Sequence, residues 1–322
     1  MKLKFRFTFN WALFIILIVL IVIIASVNIV FLSFNYLVGV MLRNIVEIGM
    51  MALAVTLIII TGGIDLSVGS TLVLSAMIGG IVATKGGSVP GVAAALLVGM
   101  ICGLFNGFLI AKIKISPLVT TLATMYLYMG LARSISRGDS IYTYPASQWM
   151  GTTALAGIPV QLFLYAILAF IFWFLLAKTT LGRKLYAIGL NEHATNYCGV
   201  NTGRVKITIY FLSGLICAVA GLAWLGRFTS IKYDAGTSLN LKVVTVIVLG
   251  GTSIMGGIGD IKGTVLATLI IAVLNSGLTV LNIPIAAQTI VHGLILVISL
   301  VSYFIINTRM SKGRVVKLLK PA

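Results

Sequence analysis

Long apolar runs separated by short polar or glycine-rich stretches recur along the whole chain. A helix needs about 20 apolar residues to cross roughly 30 Å of hydrocarbon, because every backbone N–H and C=O must be satisfied inside the segment. Ten runs approach that length: residues 11–34, 43–62, 66–84, 90–111, 117–136, 160–177, 206–226, 243–258, 262–281 and 286–306. The pattern predicts an all-α polytopic membrane protein of about ten transmembrane helices, with residues 1–322 forming one transmembrane domain and no room for a soluble one.

The first run follows Lys2, Lys4 and Arg6, the charge order of a secretory signal. Trp11–Phe34 exceeds the roughly 7–15 apolar residues of such signals and lacks a convincing cleavage pattern, so it is read as a true span.

Composition agrees. The chain is 60% hydrophobic and 9% charged, where soluble domains carry roughly 25% charged residues. An even number of spans places both termini on one side. With the N-terminus inside, Lys2, Lys4, Arg6, Lys112, Lys114, Lys178, Arg183, Lys184, Arg204, Lys206, Lys262, Arg309, Lys312, Arg314, Lys317 and Lys320 face the cytoplasm. That leaves Arg43, Lys85, Arg133, Arg137, Arg227, Lys232 and Lys242 outside, a bias that supports an N-in, C-in topology. Basic loops beside anionic lipid also account for the net charge of +17, so no nucleic-acid partner is expected.

Two glycine-rich interruptions stand out. One carries Gly62, Gly63, Asp65, Ser67 and Gly69, and the other carries Gly250, Gly251, Gly256 and Gly257. Non-helical backbone at membrane depth is tolerated only where it lines a cavity or is buried in protein, which marks both as candidate gating elements. In the fourth run Gly99, Gly103 and Gly107 repeat every fourth residue, making a smooth face for a neighbouring helix.

Two connections exceed minimal length. The outer one, residues 137–159, offers Tyr142, Tyr144, Pro145 and Trp149, which suit an interfacial aromatic belt or a docking surface for an extracytoplasmic protein. The inner one, residues 178–205, alternates short helical patterns with glycines, and Asn191 is a plausible N-cap within it.

Candidate chemistry is sparse. Of six acidic residues, only Glu47 and Asp65 lie near membrane interiors. Burying a charge at mid-membrane costs roughly 2.5–3.5 kcal/mol, so Asp65 should lie near an interface, be paired or face a wet cavity, with either a helix cap or a coupling role open to it. Glu47 is expected to pair with Arg43 four residues earlier. Asn106, Thr120, Thr121, Thr124, Asn275 and Gln288 supply neutral donors and acceptors suited to a hydroxyl-rich solute, although interhelical hydrogen bonds would use the same groups. His193 and His292 are too far apart in the topology for a metal site, and Cys102, Cys198 and Cys217 show no paired spacing. The chain lacks a phosphate-binding loop, a zinc-protease pattern and a nucleophile elbow. No cofactor, metal or catalytic residue is expected, and the chain is read as non-enzymatic.

Gly63–Ser70, Ala111–Thr124, Leu181–Gly189, and Leu249–Gly257 with Gly263 occur in an order that resembles the permease subunits of ABC importers for ribose and related monosaccharides, a family that includes importers of a furanosyl quorum-sensing signal. The resemblance implies the ABC importer permease fold in a bacterial inner membrane. Its implied partners are a cytoplasmic ATP-binding subunit pair, a second permease subunit and an extracytoplasmic sugar-binding protein. It places a coupling loop at Gly182–Gly199, with Arg183, Asn191, Glu192 and Ala194 as contacts to the ATPase. The chain departs from the pattern at Asn240 and Lys242, where many members are acidic. The rival expectation is a proton-coupled secondary transporter using Asp65 or Glu47.

Overall fold

The computed structural model describes residues 2–284 and 286–301. It is a helical bundle: α1 (Lys2–Val27), α2 (Phe34–Tyr36), α3 (Val46–Ile60), α4 (Val68–Gly86), α5 (Ser88–Ala111), α6 (Pro117–Ser136), α7 (Pro145–Thr152), α8 (Val160–Lys178), α9 (Thr180–Leu190), α10 (Glu192–Tyr197), α11 (Thr202–Phe228), α12 (Leu239–Leu249), α13 (Ile261–Val280) and α14 (Ala286–Val301). A π-helical stretch, Leu37–Leu42, and a 3₁₀ turn, Arg43–Ile45, join α2 to α3 in one apolar rod, Phe34–Ile60.

Seven helices among the described residues are long and apolar enough to cross a membrane: Phe9–Val27, Phe34–Ile60, Val68–Gly86, Ser88–Ala111, Val160–Lys178, Thr202–Phe228 and Ile261–Val280. The three remaining runs differ from expectation for separate reasons. Helix α6 has the length, at 20 residues, but directs a polar stripe of Thr120, Thr121, Thr124, Tyr128 and Ser136 into the protein, which dilutes its hydropathy. The run 243–258 is not one helix: α12 stops at Leu249 after 11 residues, about 16 Å at 1.5 Å per residue and half a bilayer. It stops there because Gly251 takes a left-handed φ of 82°. The run 286–306 is helical through Val301, and its remainder, like Arg309, Lys312, Arg314, Lys317 and Lys320, lies outside the described residues.

At the centre stands α3, all 15 of whose residues are buried. Lipid tails are as apolar as leucine, so such a helix is held by close packing and interhelical hydrogen bonds rather than by a hydrophobic drive. The glycine face of α5 does meet a neighbour: Gly99 lies against the Gly214 carbonyl, Gly103 against the Tyr210 carbonyl and Gly107 against Ile207, all on α11. By contrast α1 buries little of itself and leans on α13, where Gly277 receives Ile24.

At the end of α4 and α11 remote from the glycine breaks, the bundle is capped by α7 and two short antiparallel pairs, β1 (Ile141–Tyr142) with β4 (Ser230–Ile231) and β2 (Ala154–Leu155) with β3 (Ile158–Pro159). In this cap Tyr142 and Trp149 are 71% and 58% exposed. Tyr144 turns inward instead, and burial pushes its hydroxyl up to about 12.

Candidate functional site

The two glycine breaks, far apart in sequence, meet each other and α9. Ile60, the last residue of α3, accepts a hydrogen bond through its carbonyl from the Gly257 N–H at 2.8 Å. Gly62, Gly256 and Gly257 have φ of 80°, 84° and 72°, a region that residues with a Cβ rarely enter. Against this turn sits Gly189 of α9, so close that a side-chain methyl there would overlap the Ile60 carbonyl oxygen and the Gly257 nitrogen. Tyr186, one turn earlier, donates its hydroxyl to the Gly259 carbonyl at 2.7 Å. Asp260 then caps α13, accepting from the Lys262 N–H at 3.4 Å and from Asn10 Nδ2 at 3.3 Å. Gly250 packs on Gly263 across the same break. A short helix outside the main spans is therefore wedged into the two places where those spans are interrupted.

Above this junction lies a buried polar cluster. Ser67 donates its backbone N–H and its hydroxyl to Asp65 Oδ1 at 2.9 and 2.7 Å, and Ser213 of α11 donates to Oδ2 at 3.4 Å. Asn106 on α5 donates to Ser67 Oγ at 2.8 Å and accepts from the Tyr128 hydroxyl at 3.2 Å. Thr121 on α6 donates to the Ile64 carbonyl at 3.1 Å. Asn240 on α12 accepts from the Gly69 N–H at 2.8 Å and donates to Met125 Sδ at 3.2 Å. Five segments thus close around the first break. Asp65 organises its start through the two-residue turn that an Asp carboxylate makes with the backbone ahead of it.

Of the six residues chosen for a solute pathway, four gather in this region: Asn106, Thr120, Thr121 and Thr124, all buried. The other two stand elsewhere. Asn275 and Gln288 line a separate cleft of about 520 Å³ between α12, α13 and α14, together with Lys242, Thr279, Asn282 and His292.

The expected Arg43–Glu47 pair does not form. Glu47, fully buried, accepts from Arg227 Nε at 2.9 Å and from Nη2 at 3.2 Å, while Arg43 donates to the Gly151 carbonyl. Arg227 also donates to Asn44 Oδ1 at 2.5 Å. A guanidinium from a second helix can present two parallel N–H bonds to one carboxylate, which an Arg preceding Glu on the same helix turn is poorly placed to do.

In the inner connection Asn191 is the expected cap: its side chain accepts from the Ala194 N–H at 2.9 Å and starts α10. Glu192 pairs with Lys206 at 2.6 Å. Arg183 and Ala194 are exposed, and so is Tyr197, at 92%. Sequence reasoning missed Tyr128, Tyr186, Gly189, Ser213 and Arg227 as site residues. Tyr186 and Gly189 carried a local signal, since both lie in the quoted motif Leu181–Gly189.

A helical bundle with interrupted spans, a buried polar cluster and an external helix seated on the interruptions defines a multi-pass membrane permease. The chain belongs to the family described as branched-chain amino acid transport system/permease component, whose model matches residues 36–300. It is similar to the ribose import permease protein RbsC of Escherichia coli K12, 35% identical over 275 residues covering 84% of this chain and 85% of that one. RbsC of Bacillus subtilis is 38% identical over 263 residues, covering 80% and 82%. The autoinducer 2 import system permease protein LsrD of Klebsiella pneumoniae is 39% identical over 259 residues, covering 78% of each. No solved structure matches the chain.

Proposed function

We propose that this protein is the membrane-spanning permease subunit of an ABC importer in a bacterial inner membrane, forming the translocation path for a monosaccharide or a related small sugar. The observation that carries the reading is the seating of α9, through Gly189, on Ile60 and Gly257. A cytoplasmic ATPase pair gripping the loop at about 178–205 through Arg183, Asn191, Glu192 and Ala194 would move α9. Close backbone contact would then pass that motion to both breaks at once. Gly62, Gly63, Gly69, Gly250, Gly251, Gly256 and Gly257 would absorb the change, as hinge positions at element ends do. Two permease subunits, homologous or identical, would enclose the path, receive sugar from an extracytoplasmic binding protein and alternate its opening as ATP binding shifts the population.

The relatives named for ribose and autoinducer 2 support a sugar-like cargo. About ten membrane helices with both termini inside fit the charge bias of the loops. The polar groups expected on the path are Asn106, Thr120, Thr121, Thr124, Asn275 and Gln288. The proton-coupled alternative is weakened by what Glu47 and Asp65 do: Glu47 is paired with Arg227 across two helices, and Asp65 accepts from Ser67 at the start of α4 and from Ser213 of α11.

The test is uptake of labelled monosaccharides into proteoliposomes holding this chain, its ATPase partner and its binding protein. Strict dependence on ATP and on both partners is expected. Uptake driven by a proton gradient in their absence would overturn the reading in favour of a secondary transporter.

A further inference from the structure

The cleft between α12, α13 and α14 has a composition that the importer reading leaves unexplained. Its volume of about 520 Å³ lies within the usual range for a small-molecule site. Lys242 lines it at the start of α12, with Asn275 and Thr279 from α13, Asn282 from the turn beyond, and Gln288 and His292 from α14. None of its lining residues is acidic. Among the described residues no hydrogen bond or ion pair engages the Lys242 ammonium: the ion pairs join Glu47 to Arg227 and Glu192 to Lys206.

Two further lining groups are buried and unpartnered, Asn275 Oδ1 and His292 Nδ1. Gln288 is already committed through its amide nitrogen to the Ile283 carbonyl at 2.9 Å, which holds the start of α14 against the end of α13 and fixes the cleft's far wall. A buried polar group without a partner is destabilising, and an ammonium with no counter-charge in a partly enclosed cleft is more so. One kind of occupant relieves both costs. It brings a negative oxygen group to the ammonium's three donors and hydroxyls to the amide and imidazole.

We propose that this cleft is a solute-binding site for a small hydroxylated anion, a sugar bearing a carboxylate or a phosphate, with Lys242 as its charge partner. The proposal rests on the importer reading and narrows its cargo. A neutral sugar would leave Lys242 unmatched in the cleft and would gain nothing from it that a glutamine could not supply. An anionic one gains a charge-assisted hydrogen bond that is stronger than in water, because the walls of the cleft are protein.

The test is direct binding, which needs neither ATPase nor binding protein. The chain is placed in nanodiscs of phosphatidylcholine, and binding of D-ribose, D-ribonate and D-ribose 5-phosphate is followed by equilibrium dialysis. Either anion should bind about tenfold tighter than D-ribose, the size of one charge-assisted hydrogen bond. Lys242→Gln should abolish the preference, and Lys242→Arg should keep it, which separates loss of charge from loss of fold. Equal binding of all three probes, unchanged anion binding in Lys242→Gln, or no saturable binding of either anion would overturn the proposal. So would displacement of the anions by added phosphatidylglycerol, which would assign the cleft to a lipid phosphate. Anion binding at Lys242 in a protein that shows no ATP-dependent uptake would leave this site standing and remove the importer reading instead.

Discussion

Glu47 on α3 and Arg227 at the end of α11 are clamped by two hydrogen bonds, with only 1% and 10% of their side chains exposed. They join the central helix α3 to α11, the helix that also packs against α4, α5 and α7. Removing one member leaves the other charge buried and alone, a loss of about 3–5 kcal/mol. Arg227→Ala should therefore lower the unfolding temperature in detergent far more than Arg43→Ala, whose partner is a single carbonyl. Equal shifts for the two variants would show that the pairing does not hold the helices.

Asp65 serves as an organiser of the first break. Its acceptor Oδ1 takes two bonds from Ser67, and Ser67 Oγ in turn receives Asn106. Asp65→Asn keeps one oxygen able to do this, whereas Asp65→Ala leaves the Ser67 N–H and hydroxyl unpaired at about 1–3 kcal/mol. Asparagine should thus retain most ATP-dependent uptake, while alanine should lose both uptake and thermal stability. A proton carrier would respond in the other way, since asparagine cannot bind the proton: loss of uptake in Asp65→Asn with an unchanged melting profile would restore that mechanism.

Gly189→Ala tests the junction. The added methyl collides with backbone on two sides, the Ile60 oxygen and the Gly257 nitrogen, and neither can swing aside as a side chain could. The Ile60–Gly257 hydrogen bond must open or α9 must lift. Uptake should fall by more than tenfold, whereas Gly130→Ala, where a methyl meets nothing within 4 Å, should leave it unchanged. Normal uptake in Gly189→Ala would remove α9 as the transmitting element.

How much of this was visible in the sequence depends on the range of each interaction. The α5 face of Gly99, Gly103 and Gly107 and the Asn191 cap are local patterns, and both formed as the spacing implied. The end of α12 was hidden because residues 250–258 stay apolar on average: hydropathy continues through them while Gly251 turns the backbone. The partner of Glu47 was hidden for another reason. Arg227 lies 180 residues away, and periodicity along a chain carries no information about which helices become neighbours. The same limit explains why Asn275 and Gln288 separated from Asn106, since the bearing of each helix around the bundle is set by packing. Gly189 was legible as the end of a motif and as a glycine among short helical patterns, yet it forms no break: α9 runs through it, and its missing side chain serves close approach.

The coupling loop makes the most exposed claim, and its surface character defines the test. Glu192 and Lys206 pair at 2.6 Å, but the Glu192 side chain is 43% exposed, so the pair contributes at most about 1 kcal/mol to stability. Arg183 is exposed, and no hydrogen bond or ion pair within the described residues engages it. Replacing either residue should thus leave the melting temperature of the isolated chain within about a degree or two. If these side chains are instead spent on the ATPase, the double variant Arg183→Ala, Glu192→Gln should weaken assembly with that subunit by about tenfold or more, as loss of a charged interface contact does. The effect should shrink as salt is raised, because the contacts are charged and partly exposed. The measurement is titration of the purified ATPase onto the nanodisc-held chain at two ionic strengths, beside a thermal scan of the chain alone. A lowered melting temperature with unchanged ATPase affinity would return Glu192 to a purely structural role and move the docking surface elsewhere on the loop.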